Sequence, residues 1–178
     1  MQIKVTTTIP YPIDAVFEAM RDKLPEMAQY MPNVDEIIVE QKDESTPGHV
    51  RFVNRWVAAR TEIPAPARPF VDQSRMYYHD HADWSAEDRA CQWRLVMGFM
   101  SDRIKCAGTT SYHSVGESQT EMRILGALDL DLKGMVPRLL IGKVTSGVES
   151  FVGKLIEPNF QKTADALTAY LDAQAKQA

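Results

Sequence analysis

The chain has 178 residues, a length that suits one domain with a sizeable core. Its 44% apolar and 25% charged content is that of an ordinary soluble protein, and a net charge of −4 argues against nucleic-acid binding driven by bulk positive charge. No run approaches the ~18 apolar residues needed to span a bilayer, and the opening residues lack an apolar signal core, so a cytoplasmic protein is expected.

No repeat, low-complexity tract or composition break divides the chain, so residues 1–178 are expected to form a single domain. Gln2 to Ile9 is rich in β-formers, and Pro10 and Pro12 end it. Pro12 suits the first turn of a helix, and Ile13 to Arg21 follows with Val16, Phe17 and Met20 as its apolar stripe. A second short helix, Pro25 to Tyr30, stops at Pro32 and Asn33.

Strands come next. Glu36 to Lys42 sets Ile37 and Val39 on one face. His49 to Ala58 alternates, with Val50, Phe52, Asn54 and Trp56 opposed to Arg51 and Arg55. The proline-rich stretch Ala59 to Pro69 reads as a long loop, suited to a mouth or lid. Phe70 to Met76 fits a short helix or a strand, and Met76 to Asp83 a strand. In Ala90 to Phe99, Cys91, Trp93, Leu95, Met97 and Phe99 oppose Gln92 and Arg94. In Arg103 to Val115, Ile104, Cys106, Thr110 and Tyr112 oppose Lys105 and His113. In Thr120 to Leu132, Met122, Ile124, Leu128 and Leu130 oppose Arg123, Asp129 and Asp131. Such alternation marks an antiparallel sheet with one wet and one buried face.

The last quarter changes period. From Val136 to Leu171, apolar residues recur at spacings of 3 and 4, predicting one long amphipathic helix. Pro158 should bend it. Its stripe needs a partner, and the sheet is the large one on offer.

The order is therefore a strand, two short helices, an antiparallel sheet of about seven strands and a long helix. With VTTTIPYPIDAVFEAMRD, MPNVDEIIVE, YHSVGESQTEMRILGAL and the closing PRLLIGKVTSGVESFVGKLIEPNFQKTADALTAYL, this pattern resembles the START-like superfamily of polyketide cyclases and lipid-transport proteins. Asn159, late in the final helix, resembles the PRELI-like branch. The resemblance implies an α+β helix-grip fold, in which a curved antiparallel sheet wraps around a long C-terminal helix. It also implies a cavity between the two. It transfers no activity, because one fold hosts many functions.

The expected cavity wall is Phe52, Asn54, Trp56, Trp93, Leu95, Met97, Tyr112, Met122 and Ile124 from the sheet, with Leu140, Val144, Val148 and Phe151 from the helix. The competing reading of the same residues is a solid core. The expected ligand is a lipid or other hydrophobic small molecule. The alternatives are a cyclase-type enzyme, which needs a titratable group inside the hollow, and an interaction module with no hollow. No nucleophile, phosphate-loop or zinc motif is present, so no catalytic residue, cofactor or metal is assigned. His79, Asp80, His81 and Asp83 form the most metal-like cluster, but only two imidazoles occur there, and a solvated edge is expected instead. The turn Met97 to Ser101 carries Phe99 and Met100, which suit either transient membrane contact or burial under the helix. Cys91 and Cys106 lack ligand spacing and are expected as free, buried thiols. No surplus apolar stripe speaks for an oligomeric state.

Overall fold

The structure is a computed structural model, and it describes residues 1–59, 77–98, 101–131 and 160–177. Seven strands form one antiparallel sheet: β1 (Gln2–Ile9), β2 (Val34–Asp43), β3 (His49–Ala58), β4 (Tyr77–Ser85), β5 (Ala90–Met97), β6 (Ile104–Val115) and β7 (Gln119–Leu130). Their spatial order is β1-β7-β6-β5-β4-β3-β2. Six strands therefore meander from one edge toward the other, and the first strand closes the far edge beside the last.

That topology requires the chain to cross the sheet between β1 and β2. It does so through α1 (Ile13–Asp22), α2 (Leu24–Met27) and a 3-10 turn over Ala28–Tyr30. Pro12 caps α1 with a backbone conformation no helix interior uses, and Asp14 in the first turn complements the positive end of the helix dipole. Val16, Phe17 and Ala19 are buried against the sheet. A further helix, α3, spans residues 160–175. At 1.5 Å per residue it is about 24 Å long. Ala164, Ala166, Leu167 and Tyr170 are its buried side chains.

The expected helix from 136 to 171 is thus observed from 160 onward, and it continues beyond Leu171. Its part before residue 160 lies outside the described residues, as do Asn159, most of the proline-rich loop, the ambiguous stretch 70–76, Leu132, Phe99 and Met100.

The strand registers sort the side chains into two faces. On the face turned toward the helices, Asn54 stands opposite Asp80, Asp80 opposite Leu95, Leu95 opposite Cys106 and Cys106 opposite Leu128. The neighbouring row runs Phe52, Ala82, Trp93, Gly108, Gly126 and Ile3. The core cluster draws on this inner face together with α1, α2 and α3. Val39 shares the inner face with Ile37 as expected, yet it is 40% exposed. It lies on an edge strand beside a register shift between Val39 and Gln41.

Two strand glycines have a steric purpose. Gly108 and Gly126 face each other across β6 and β7, and the Trp93 ring lies over both. A Cβ at Gly108 would stand 2.5 Å from the Trp93 ring and 2.4 Å from the Leu125 carbonyl oxygen. Only glycine lets the indole lie flat there.

Candidate functional site

The inner face has two ends of different character. At the α1 end it is tightly packed. Phe17 sets its ring edge-on to Trp84 at 5.4 Å and to Tyr112 at 5.6 Å. Tyr112, Met122 and Ile124 are each at most 2% exposed. These three predicted wall residues belong to a solid core. Trp93 is held equally firmly: its indole N–H donates to Thr110 Oγ1 at 3.1 Å, and its ring meets Phe160 of α3 at 6.3 Å. Trp93 is therefore a packed floor.

The other end is more open. Trp56 and Tyr78 stack at 5.7 Å with a 15° interplanar angle. Beside them Tyr78, Asp80, Leu95 and Met97 are only partly covered, although all point to the inner face. Tyr78 and Asp80 keep part of their surface accessible, unlike Tyr112 and Met122 at the packed end. Phe52, Asn54, Trp56, Leu95 and Met97 of the predicted wall gather here. Leu140, Val144, Val148 and Phe151 lie outside the described residues.

The polar groups at this end lack partners. Asn54 is 1% exposed, and neither its amide nitrogen nor its oxygen makes a hydrogen bond. Asp80 Oδ1 and the Trp56 indole nitrogen are likewise buried and unpaired. Buried polar atoms are normally satisfied, and the packed end has unpaired ones too, the Tyr112 hydroxyl and the Trp84 indole nitrogen; what sets this end apart is that Asn54 and Asp80 stand directly opposite each other. Burial pushes the Asp80 carboxyl up to about 6. The facing Asn54 amide favours the ionised form and offsets part of that rise without forming a regular hydrogen bond. Burial also raises the Tyr78 and Tyr112 phenols, the Cys91 thiol and, up to about 11, the Cys106 thiol. All four therefore stay neutral at physiological pH. The cysteines are free and buried, as expected.

Asp80 is the residue that sequence reasoning misplaced. Grouped with His79, His81 and Asp83 as a metal-like cluster, it is separated from all three by strand alternation. His79 and His81 lie on the outer face, where His79 Nε2 meets Glu40 at 3.1 Å. Desolvation first, then the charges of Arg94 and His79, hold His81 below the usual imidazole range. Burial pushes the Asp83 carboxyl up, but hydrogen bonds from His49 and Arg51 outweigh it and leave the group below its ordinary value. Among the described residues no three of these residue types gather around a common point. The overlooked signal was the alternation of β4 itself. Tyr78, Ala82 and Trp84 form an apolar face, and Asp80 stands in its middle.

Open depressions among the described residues lie elsewhere. The larger, about 350 Å³, is bounded by Lys42, Arg51, Phe52 and Asp83 near the β2 edge, and Asp80 takes no part in it. Among the described residues, no helix is long and apolar enough to cross a membrane.

An open sheet with β1 beside β7, short crossing helices and α3 on the inner face is a recognisable architecture. The fold is the START-like helix-grip fold. The Zhui aromatase/cyclase from Streptomyces sp. R1128 superposes with a TM-score of 0.69 at 12% identity, over 98% of this chain and 95% of that one. A START superfamily protein from Mycobacterium smegmatis gives 0.57 at 11% identity, over 97% and 98%. The di-domain ARO/CYC StfQ of the steffimycin biosynthetic pathway gives 0.58 at 14% identity; this chain covers 98% of itself but 46% of StfQ. No protein-family model and no curated protein matches the sequence. At these identities the likeness concerns the fold alone.

Proposed function

We propose that this protein binds a lipid or other hydrophobic small molecule between the open end of the sheet and the C-terminal helical segment. The observation that carries the reading is the contrast across the inner face. One end is solid, while the other leaves Leu95, Met97 and Tyr78 partly uncovered beside the unpaired Asn54 and Asp80. A solid core would cover Leu95, Met97 and Tyr78 as it covers Tyr112 and Met122; unpaired atoms alone do not separate the two ends, since the Tyr112 hydroxyl and the Trp84 indole nitrogen are buried and unpaired at the packed end. Burying apolar ligand surface there would contribute roughly 25 cal/mol per Å². The START-like fold, shared with the Zhui aromatase/cyclase and StfQ, supports this reading.

The test is native mass spectrometry of the purified protein, with solvent extraction of whatever it carries. Met97→Glu is the informative variant, because Met97 is partly uncovered whereas Trp93 holds the floor together. Met97→Glu should lose the bound species while Arg123→Ala, on the outer face, keeps it. Equal loading of both variants sinks the assignment.

A second reading, a cyclase-type enzyme, is favoured by Asp80 specifically. It requires a titratable group inside the hollow, and Asp80 is one, with a proton affinity near the range useful to a general acid or base. Its mark would be turnover of a polyketide-like substrate with a pH limb near 6 that Asp80→Asn abolishes.

A further inference from the structure

We infer that the open end of the inner face selects a hydrophobic ligand that ends in a neutral hydroxyl, held by Asp80 and Asn54, and rejects one that ends in a carboxylate. This rests on the binding reading above and names the ligand chemistry of that same site.

Several hydrogen-bonding groups at this end are unmet. Asp80 Oδ1 and Asn54 Oδ1 want donors, while Asn54 Nδ2 and the Trp56 indole nitrogen want acceptors. Asn54 and Asp80 are direct cross-strand partners, so one ligand group can reach both. A hydroxyl supplies both halves at once: its one O–H donates to Asp80 Oδ1 while its oxygen accepts from Asn54 Nδ2. An ammonium would satisfy the acceptors but leave the two N–H groups unmet. A carboxylate would satisfy the N–H groups and bring a second negative charge against Asp80.

Among the described residues, no cation neutralises that repulsion. The elements around Asp80 present Asn54, Trp56 and Phe52 from β3 and Leu95 from β5. Beyond Leu95 stands Cys106, and further along the inner face, toward α1, stand Cys91 and Tyr112, all neutral as described. Tyr78, on β4 itself, is neutral too. Lys42 reaches the rim over the Phe52 ring at 5.7 Å, but Glu44 holds its ammonium at 3.0 Å. On α3, Lys162 and Asp165 lie off the stripe of Phe160, Ala164 and Leu167. At the far end, α1 ties up its charge in the Arg21–Asp22 and Arg89–Asp14 pairs. The Trp56–Tyr78 stack beside the polar pair suits a flat apolar body.

The test compares 2-naphthol with 2-naphthoate by isothermal titration calorimetry. These probes share one flat body and differ in the polar end. At pH 8 the full-length wild type should bind naphthol at least about tenfold more tightly than naphthoate, a modest demand on two like charges at contact distance. In Asp80→Asn, an isosteric change, the ratio should collapse toward parity. In Asp129→Asn, which removes the same charge from the outer face, it should not move. Circular dichroism establishes that each variant is folded. The wild type gives an independent readout: lowering the pH from 8 to 5.5 should strengthen naphthoate several-fold and leave naphthol level, because Asp80 takes up its proton near 6. Equal binding of the two probes at pH 8, or a ratio unmoved by Asp80→Asn, overturns the selectivity and leaves the binding site standing. Binding of neither probe overturns both.

Discussion

Asp80 links burial to pH. Its folded-state pKa of about 6 lies above the ordinary carboxyl value of 3.8. The folded protein therefore holds a proton that the unfolded chain has already released. Stability falls as pH rises from about 4 to about 6, and the loss is constant above that window. A shift of this size corresponds to at most about 3 kcal/mol, and partial exposure reduces it. Asp80→Asn should thus gain stability relative to wild type between pH 4 and pH 7, read from urea unfolding midpoints at each pH. A difference that does not change with pH would show Asp80 to be solvated. Strongly shifted groups of this kind cluster at functional sites, which is why a buried carboxyl with an unpaired Oδ1 on an apolar face is a candidate for function. Gly108 makes the opposite kind of prediction. Gly108→Ala drives a methyl into Trp93 and the Leu125 carbonyl, so either the indole or the β6–β7 pairing must shift. A loss of about 1–3 kcal/mol is expected, with altered tryptophan fluorescence.

The docking of α3 is a matter of a few contacts. Leu167 is fully buried, Phe160 meets Trp93, and the Tyr170 hydroxyl donates to Glu26 Oε2 at 3.0 Å while its ring meets Tyr30 at 6.4 Å. Tyr11 adds a hydroxyl bond to Asp172. Leu167→Ala should cost about 2–5 kcal/mol, because the cavity left behind has no side chain free to fill it. Hydrogen exchange of 160–175 should then rise ahead of the sheet, since α3 holds on by one face. The amphipathic stripe of α3 was plain in the residues, as were all seven strands, because periods of 3.6 and 2 survive in the amino-acid order. What the order conceals is which stretch of an apolar face is pressed shut and which borders space. Tyr112 and Leu95 look alike along their strands, and only the arrival of Phe17 on Tyr112 separates them.

At the scale of the molecule, the described helices all lie on one side of the sheet. A bound hydrophobic molecule would add to the folded state alone and raise its stability by mass action, about 2.7 kcal/mol at a hundredfold excess over Kd. Ligand-dependent thermal shifts that Met97→Glu removes and Arg123→Ala keeps would report the site directly. If a ligand raises the midpoint of both variants alike, it binds elsewhere. On the outer face, charged pairs such as Arg51 with Asp83 and His79 with Glu40 stand in the open.

What the sequence determined by itself is everything that depends on local order: the seven strands, the helices flanking them, the face each apolar residue takes and the resemblance built on that pattern. Backbone geometry imposes those periodicities within a few residues, so they can be read without a partner. The tertiary structure decided what depends on meeting across distance. It made Trp93 a floor by placing Gly108 and Gly126 beneath it. It assigned Tyr112, Met122 and Ile124 to solid packing. It also turned Asp80 from a member of a histidine cluster into an inward carboxyl opposite Asn54. Burial and pairing are properties of neighbours brought together by folding, and no spacing along the chain encodes them alone.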